Sequence, residues 1–214
     1  MLELNMDLKN KFEEAAKAMQ LRLRQKPSTQ VLRNMILDKG IGSFNQCERL
    51  NYQELSNIVE KGGIVGVDGS TNNTGGPYPY LLTLQQALAK VCNQEKGHVT
   101  ITDAFSPLTM IASMGEEEYR EFVKENLACL EVKAAIAAFE QYSPRVILLD
   151  GSLVRYKIEA APLWEKLKNR ALSQNTILVG IVEGISTGVI SECLKDRLPK
   201  SGYPASDWEI LFGL

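Results

Sequence analysis

The chain has 214 residues, with 24 Lys or Arg against 26 Asp or Glu, so its formal net charge is −2. A hydrophobic content of 44% and a charged content of 23% are ordinary globular values, which exclude a disordered, fibrous or collagen-like chain. The length predicts one domain or one domain with a small appendage, and the charge excludes a histone-like polycation but not a local basic groove.

The first 60 residues are predicted to form an N-terminal helical extension, residues 1–60. Its first helix has an amphipathic stripe at steps of three and four residues, made of Leu4, Leu8, Phe12, Ala15, Ala16 and Met19. The segment from Lys17 to Arg33 has no acidic residue. Arg22 and Arg24 within it are candidate DNA-binding residues of a phosphate-contacting arm, and the alternative is a solvated helix face.

A meander of three strands is predicted next. Ile64–Val67 is a short apolar run, typical of a strand buried on both faces. A turn rich in Gly, Asn and Pro follows at 72–77. Tyr78–Val91 and His98–Ala104 are then predicted as the second and third strands. Because no helix separates the three strands, we expect them to pair antiparallel.

Helices alternate with strands in the second half of the sequence. Glu116–Gln141, rich in Glu, Ala, Leu and Lys, has the strongest helical composition. Val146–Leu149 and Thr176–Val182 are predicted as buried strands, and Pro162–Leu172 and Ser186–Leu198 as helices. The order β-β-β-α-β-α-β-α predicts an α/β fold, a mixed sheet flanked by helices.

The triplet Asp-Gly-Ser follows two of the apolar strands. It begins at Asp68 after the first strand and at Asp150 after the fourth. Ligands of open α/β sheets bind at the carboxyl ends of strands. A single Asp-Gly at a strand end is usually only a turn, but two such ends in one sheet make coincidence less probable.

Glu131 is the third acidic candidate, because it lies on the apolar side of the long helix. Its neighbours on that face, stepping at 100° per residue, are Leu127, Ala128, Ala134, Ala135 and Ala138. A carboxylate buried among small residues is costly unless it is paired or binds a cation. The alternative places Glu131 at the rim of the helix.

The chemistry of the three candidates favours a hard divalent cation. Carboxylate oxygens select Mg²⁺ or Mn²⁺. The sequence has no CxxC pair and a single histidine, His98, so it has few of the Cys and His ligands that a zinc site needs. Carboxylate sites of this kind hold two ions about 3.5–4 Å apart for phosphodiester hydrolysis. A strand Asp, a helix Glu and a second strand Asp are also the plan of ribonuclease H-like nucleases.

The sequence resembles the NurA nuclease family over about residues 61–214, which we interpret as one NurA-like nuclease domain. The resemblance is carried by Ile64–Ser70, Glu131, Ile147–Leu153, Val179–Val182 and Ser206–Phe212. The spaced pair of Asp-Gly-Ser strands is its most specific part.

The resemblance implies a ribonuclease H-like fold and a metal-dependent DNA nuclease with 5′→3′ exonuclease and single-strand endonuclease activity. It implies Asp68, Glu131 and Asp150 as catalytic residues and as ligands of Mn²⁺ or Mg²⁺, with two ions expected. It also implies a homodimer that works with a HerA-type hexameric ATPase in DNA-end processing and repair.

The sequence departs from the family pattern in two respects. Family chains generally continue beyond the position of Leu214, so we expect this chain to lack a C-terminal segment with further site and dimer residues. Many members have Lys after the late strand, where this sequence has Glu183. Glu192, Asp196 and Asp207 are candidates for a fourth ligand, and the alternative is that they are exposed acids or caps.

Lys157 and Lys166 give the helix after Asp150 a basic face, which we predict to bind the DNA backbone. The N-terminus lacks the apolar core of a signal peptide, and no apolar run approaches the roughly 20 residues of a membrane span. These features predict a cytoplasmic protein without a membrane partner.

Two alternatives to the nuclease remain open. The leading one is a shortened, catalytically weak relative that acts as a DNA- or ATPase-binding module. The other is a ribonuclease H-like enzyme that acts on RNA or on DNA junctions. Convergence of the three carboxyl groups would favour a nuclease over the binding module.

Overall fold

A computed structural model of the chain describes residues 6–24, 27–60, 62–92, 97–110, 114–185, 187–198 and 206–211. The contacts divide the chain into two compact units. One comprises residues 49–183, and the other joins the N-terminal 48 residues to residues 184–214. Among the described helices, none is long and apolar enough to cross a bilayer.

The described helices are α1 (Met6–Arg24), α2 (Thr29–Asp38), α3 (Tyr52–Glu60), α4 (Glu116–Tyr142), α5 (Leu153–Glu159), α6 (Ala161–Gln174), α7 (Val189–Leu194) and α8 (Asp207–Leu211). The strands are β1 (Ile64–Gly75), β2 (Leu81–Val91), β3 (His98–Phe105), β4 (Val146–Asp150) and β5 (Ile177–Ile181). A short 3₁₀ turn covers Pro107–Thr109.

The unit of residues 49–183 contains a mixed sheet of five strands in the order β3-β2-β1-β4-β5. β1, β2 and β3 pair antiparallel, whereas β4 and β5 pair parallel to β1 and to each other. The antiparallel meander predicted from the sequence is confirmed. The predicted α/β fold, a mixed sheet flanked by helices, is confirmed, and it is consistent with a ribonuclease H-like fold.

One face of the sheet packs against α4, and α5 and α6 pack against α4 in the same hydrophobic core. Because successive side chains of a strand point to opposite faces, Val65 and Val67 of β1 lie on the same buried face as Ile147 and Leu149 of β4. Four of the eight buried apolar residues that α4 contributes to this core are alanines, so the backbone of α4 can approach the strands closely. This close approach places Glu131 against β1.

Buried hydrogen bonds fix the N-terminal half of α4 on the meander. The side chains of Thr83 and Gln85 are 0% and 2% exposed, although both are polar. Thr83 Oγ1 lies 2.7 Å from the Tyr119 hydroxyl, and Gln85 Nε2 donates to the Val123 carbonyl at 2.7 Å. Asn126 Nδ2 donates to Gln85 Oε1 at 2.9 Å. Each of these buried groups has a partner, as burial requires.

The first strand is longer than the sequence pattern predicts. The apolar run ends at Val67, but β1 continues to Gly75 because its antiparallel pairing with β2 extends to the pair Gly75 and Leu81. The turn therefore lies at 76–80, where the Gly76 N–H donates to the Tyr80 carbonyl. The prediction that the first strand ends at Asp68 is wrong, since pairing with a neighbour outweighs the polar composition of the strand's second half.

The other unit has a small helical core of its own. Leu32 and Ile36 of α2 pack with Leu194 of α7 and Ile210 of α8, and all four are buried. The predicted helix Ser186–Leu198 is shorter here, because its helical part is α7; Ser186 itself lies outside the described residues.

The apolar stripe predicted for the N-terminal segment falls on α1. Its members Leu8, Phe12 and Met19 are exposed to 55%, 75% and 66%. Leu4 lies outside the described residues. The helix is therefore amphipathic, as the sequence predicts, but within the described residues its apolar face belongs to neither hydrophobic core.

We expect Ile147→Ala to lower the free energy of unfolding by about 2–5 kcal/mol, since it leaves a cavity at a fully buried site in β4. Ile158→Ala is the matched control, because Ile158 on α5 is 74% exposed and its loss should change stability by less than about 0.5 kcal/mol. Urea denaturation measures both. Equal losses in the two variants would contradict the position of β4 in the core.

Candidate active site

Two aspartates lie side by side on neighbouring strands. Val67 of β1 is opposite Leu149 of β4 in the parallel register, and Asp68 and Asp150 are the next residues of each strand. Paired strands are about 4.8 Å apart, so the two aspartates begin from adjacent backbone positions. Both residues are exposed. Asp150 ends β4 as predicted, whereas Asp68 lies within β1.

Glu131 lies beneath this pair, on the face of α4 that packs against the sheet. Its side chain is 2% exposed, which confirms the predicted burial. The carboxylate reaches the sheet at Gly69, where a Cβ atom would lie 2.6 Å from Oε1 and 2.8 Å from Cγ of Glu131. Only a glycine after Asp68 leaves room for Glu131 in this position.

The second Asp-Gly-Ser triplet forms a tight turn from β4 into α5. Gly151 has a φ of +102°, a conformation that favours glycine, and its N–H donates to the Ile181 carbonyl at 2.7 Å. Ser152 then caps α5, because its Oγ accepts a hydrogen bond from the Val154 N–H at 3.2 Å. The turn thus leaves Asp150 at the edge of the sheet and begins a helix immediately after it.

This helix brings Arg155 and Tyr156 to the carboxylates. Arg155 Nη2 lies 3.2 Å from Glu131 Oε2, and Arg155 Nε donates to Glu159 Oε2 at 2.8 Å. Tyr156 is fully buried, and its hydroxyl donates to the Asp150 carbonyl at 2.6 Å. Both residues therefore contact the acidic group directly.

The surroundings of Glu131 raise its pKa above the ordinary value for a glutamate. Burial is the largest cause, and the charges of Asp68 and Asp150 add to it. Arg155 and Tyr156 act in the opposite direction and lower the pKa. The two aspartates thus lie close enough to Glu131 for their charges to act on it.

A cation would satisfy an atom of this group that now has no hydrogen bond. Glu131 Oε2 is buried and accepts none, since the approach of Arg155 is an ion pair without hydrogen-bond geometry. The donor set, carboxylate oxygens only, fits a hard divalent ion. Among the described residues, however, no group of three Asp, Glu, His or Cys side chains is placed to hold a metal ion. The three carboxyl groups are neighbours, but with Arg155 in place they do not converge.

The basic residues predicted to bind DNA lie on separate elements. Lys157 on α5 and Lys166 on α6 are exposed. Arg22 and Arg24 belong to α1, but their side chains lie outside what the structure describes. Lys157 and Lys166 thus share the unit of the acidic group, although they lie on two helices rather than on the single one expected.

The candidates for a fourth ligand have other roles or positions. Glu192 pairs with Lys195, and Asp196 is exposed. Asp207 is 2% exposed and acts as a distant cap of α7, since its carboxylate accepts hydrogen bonds from Thr187 Oγ1 at 2.6 Å and from the Ser191 N–H at 2.8 Å. This arrangement agrees with a cap and not with a metal ligand.

The hydrogen bonds to Asp207 also set its pKa. Burial raises the pKa, but hydrogen bonds from Thr187 and from the N–H groups of Ser191, Val189 and Ile190 outweigh that effect. The pKa of Asp207 therefore lies below its ordinary value. The carboxylate is held in its charged form by the backbone that it caps.

A cavity of about 470 Å³ lies away from the acidic group, beside the β1–β2 turn and the start of α4. Tyr78, Tyr119 and Arg120 are among its lining residues, and none of the three acidic candidates lines it. Tyr78 is held there by a hydrogen bond from its hydroxyl to the Met114 carbonyl. The aromatic residues of the turn thus contribute to packing around this cavity.

The contacts of Arg155 and Tyr156 with the acidic group are not predicted by the sequence. The local signal is Ser152, two residues after Asp150. A serine cap at this position predicts a helix whose first turn lies next to the end of the strand. Arg155 and Glu159 are also four residues apart, a spacing that favours ion pairs on a helix.

The family model described as the NurA domain matches residues 62–213. A search of curated proteins finds no significant match.

Two solved structures show a distant similarity to the chain. The foamy viral protease-reverse transcriptase in complex with dsDNA is 14% identical, with a TM-score of 0.32, over 64% of this chain and 92% of that one. Endonuclease V of Ciona intestinalis, in complex with a 24mer DNA containing an inosine followed by a ribo-adenosine, is 20% identical, with a TM-score of 0.27. That match covers 65% of this chain and only 56% of the endonuclease chain. Neither likeness is close enough to bear on function.

We expect Gly69→Ala to lower the free energy of unfolding by about 1–3 kcal/mol, because the new methyl group would overlap the buried Glu131 side chain. Gly66→Ala in the same strand is the matched control, since a Cβ there meets nothing within 4 Å. Chemical denaturation of both variants tests the contact. If Gly69→Ala is as stable as Gly66→Ala, the close approach of Glu131 to β1 is refuted.

We expect the stabilisation by Asp207 to depend on pH. The pKa of Asp207 is lower in the folded state than in the unfolded state. Its contribution to the free energy of unfolding is therefore complete above the ordinary carboxyl pKa and is lost as the pH falls through the pKa of the folded state. Asp207→Asn keeps a capping oxygen but loses the charge, so it should cost about 1 kcal/mol at pH 7, the difference between charged and neutral hydrogen bonds, and progressively less in acid.

Urea denaturation between pH 7 and pH 3 measures this difference, and Asp196→Asn, at an exposed position nearby, is the control. A difference between the wild type and Asp207→Asn that does not shrink in acid would contradict the depressed pKa.

Proposed function

The chain belongs to the NurA family of nucleases, and on this premise we propose that it is a metal-dependent DNA nuclease. Its reaction would be the hydrolysis of phosphodiester bonds, as a 5′→3′ exonuclease and single-strand endonuclease. The acidic group of Asp68, Glu131 and Asp150 would be its active centre. The observation that carries this proposal is the adjacency of the two aspartates above a buried glutamate whose Oε2 accepts no hydrogen bond.

The three carboxylates would hold Mn²⁺ or Mg²⁺, with two ions proposed. When bound, such ions activate water and stabilise the leaving oxygen of a phosphodiester. The chain itself supplies the position of the ligands. β1 and β4 fix Asp68 and Asp150 on adjacent strands, while α4 and Gly69 fix Glu131 beneath them. Tyr156 holds the backbone of Asp150 through the hydrogen bond to its carbonyl.

Lys157 and Lys166 would bind the phosphate backbone of the DNA, since both are exposed in the unit that carries the acidic group. We also propose Arg22 and Arg24 for this role on the basis of the basic composition of their segment.

The family resemblance supports a place in DNA-end processing and repair in the cytoplasm, with a HerA-type hexameric ATPase as partner and a homodimer as the assembly. The exposed Leu8, Phe12 and Met19 of α1 support a protein contact at that helix, because a contiguous apolar face is usually covered. Co-purification with the ATPase and the mass of the assembly in solution test these two proposals.

A binding module without cleavage is the second candidate function. It is supported by the position of Arg155, whose guanidinium lies 3.2 Å from Glu131 Oε2. If this pair persists, DNA or the ATPase would bind without hydrolysis.

We expect Asp68→Ala to reduce cleavage of labelled single- and double-stranded DNA in Mn²⁺ by at least about a hundredfold. Even the loss of a residue that only hydrogen-bonds to a metal ligand lowers metal affinity or activity by about 10- to 100-fold. Asp196→Ala, which removes an exposed aspartate elsewhere, should cleave like the wild type.

Three outcomes would contradict these assignments. Undiminished cleavage by Asp68→Ala would reject the site, and intact DNA with the wild type at high concentration would reject the enzyme in favour of the binding module. Preferential cleavage of RNA would favour a ribonuclease H-like activity.

A further inference from the structure

Arg155 is the one cation that the structure places directly against the acidic group in the described part of the chain. Its side chain is 29% exposed, whereas the side chain of Glu131 is 2% exposed. The guanidinium also lies above the Tyr156 ring, with Cζ 5.1 Å from the ring centre, and its Nη1 would be 3.5 Å from a Cβ on Gly151. It thus lies between the buried glutamate and the turn that follows Asp150.

The ion pair between Arg155 and Glu131 is incomplete. Arginine and carboxylate bind most strongly when two parallel N–H groups donate to the two oxygens. Here Nη2 approaches Oε2 at 3.2 Å, yet Oε2 accepts no hydrogen bond. The guanidinium therefore compensates the charge of the glutamate but leaves its buried oxygen unsatisfied, and that oxygen remains a good ligand for another cation.

Arg155 has a second anchor that does not belong to the acidic group. Its Nε donates to Glu159 Oε2 at 2.8 Å, within the same helix α5. Glu159 is half-buried, and the arginine could keep this bond while Nη2 moves away from Glu131. The guanidinium can therefore leave the glutamate without losing every partner.

A divalent ion and Arg155 cannot both occupy Glu131 Oε2. A metal ligand oxygen lies about 2.0–2.2 Å from the ion, and a positive charge on the same oxygen would repel the ion at short range. Within the described residues, no three acidic side chains converge on one point. This agrees with a site in which Arg155 holds the carboxylates apart.

We propose that Arg155 is the resident counter-cation of Glu131 and competes with the divalent metal ion for this carboxylate, so that metal binding requires Arg155 to move away. This inference rests on the proposed function, because it concerns the same site. Arg155 is a positioning residue here, which sets the metal affinity of the centre through Glu131.

The test is a calorimetric titration of the 214-residue chain with Mn²⁺ at pH 8 in the absence of DNA. We expect Arg155→Gln to bind Mn²⁺ more tightly than the wild type, on the order of tenfold, the usual size of a coupling between two ligands. Arg120→Gln is the matched control, since Arg120 forms exposed ion pairs with Glu116 and Glu117 on α4. It should retain wild-type affinity.

A second variant, Arg155→Lys, tests the inference if Arg155→Gln does not fold. Lysine keeps the charge but has no planar fork that can serve Glu131 and Glu159 together, so Arg155→Lys should bind Mn²⁺ more tightly than the wild type, by a smaller factor than Arg155→Gln. Circular dichroism establishes which variants are folded. Wild-type or weaker affinity in folded Arg155→Gln overturns the inference, as does wild-type affinity in Arg155→Lys where Arg155→Gln does not fold.

Parallel assays of DNA cleavage separate this inference from the proposed function. If the wild type cleaves DNA in Mn²⁺ but removal of Arg155 leaves the affinity unchanged, only the competition is rejected. If neither the wild type nor the Arg155 variants bind Mn²⁺ or cleave DNA, both are rejected. Binding that is gained only in Arg155→Gln supports the competition in its strongest form.

Discussion

The burial of one carboxylate organises this structure. Glu131 lies on the face of α4 that the sheet covers, and its position depends on the missing side chain at Gly69. A charged group in such a place is costly unless its neighbours compensate it, and Arg155 does so only in part. A purely apolar residue at this position would fit the surrounding alanines better. Folding alone thus gives no reason for a glutamate here, whereas the proposed metal centre would give one.

The rest of the unit holds that carboxylate in place from two sides. Alanines along α4 let the helix approach the strands, while Thr83 and Gln85 fix its first half through buried hydrogen bonds. Packing alone would allow the helix to shift along its axis, but hydrogen bonds with defined partners do not. The register between α4 and β1 is thereby fixed, and with it the position of Glu131 beside Gly69.

The sequence was sufficient for the features that depend on periodicity. It predicted the antiparallel meander, the two later strands of a mixed sheet and the burial of Glu131, because each leaves a regular pattern of apolar residues. It did not predict the continuation of β1 beyond Asp68, since that half of the strand is polar and is held by pairing with β2. Arg155 was also missed, because its contact with Glu131 joins elements that are distant in sequence. The hydrogen bonds of Asp207 likewise depend on a return of the chain that no local pattern shows.

The unequal lengths of two neighbouring strands have a further consequence. β4 ends at Asp150, while β1 continues to Gly75 and pairs there with β2. Beyond the two aspartates the sheet therefore has a notch, bounded on one side by the continuing strand and at its base by the carboxylates. An exposed strand edge is prone to pair with other chains, and negative charge at its root opposes such pairing. The negative charges of Asp68 and Asp150 at this position therefore disfavour the addition of a strand and favour a cation as the ligand of the notch.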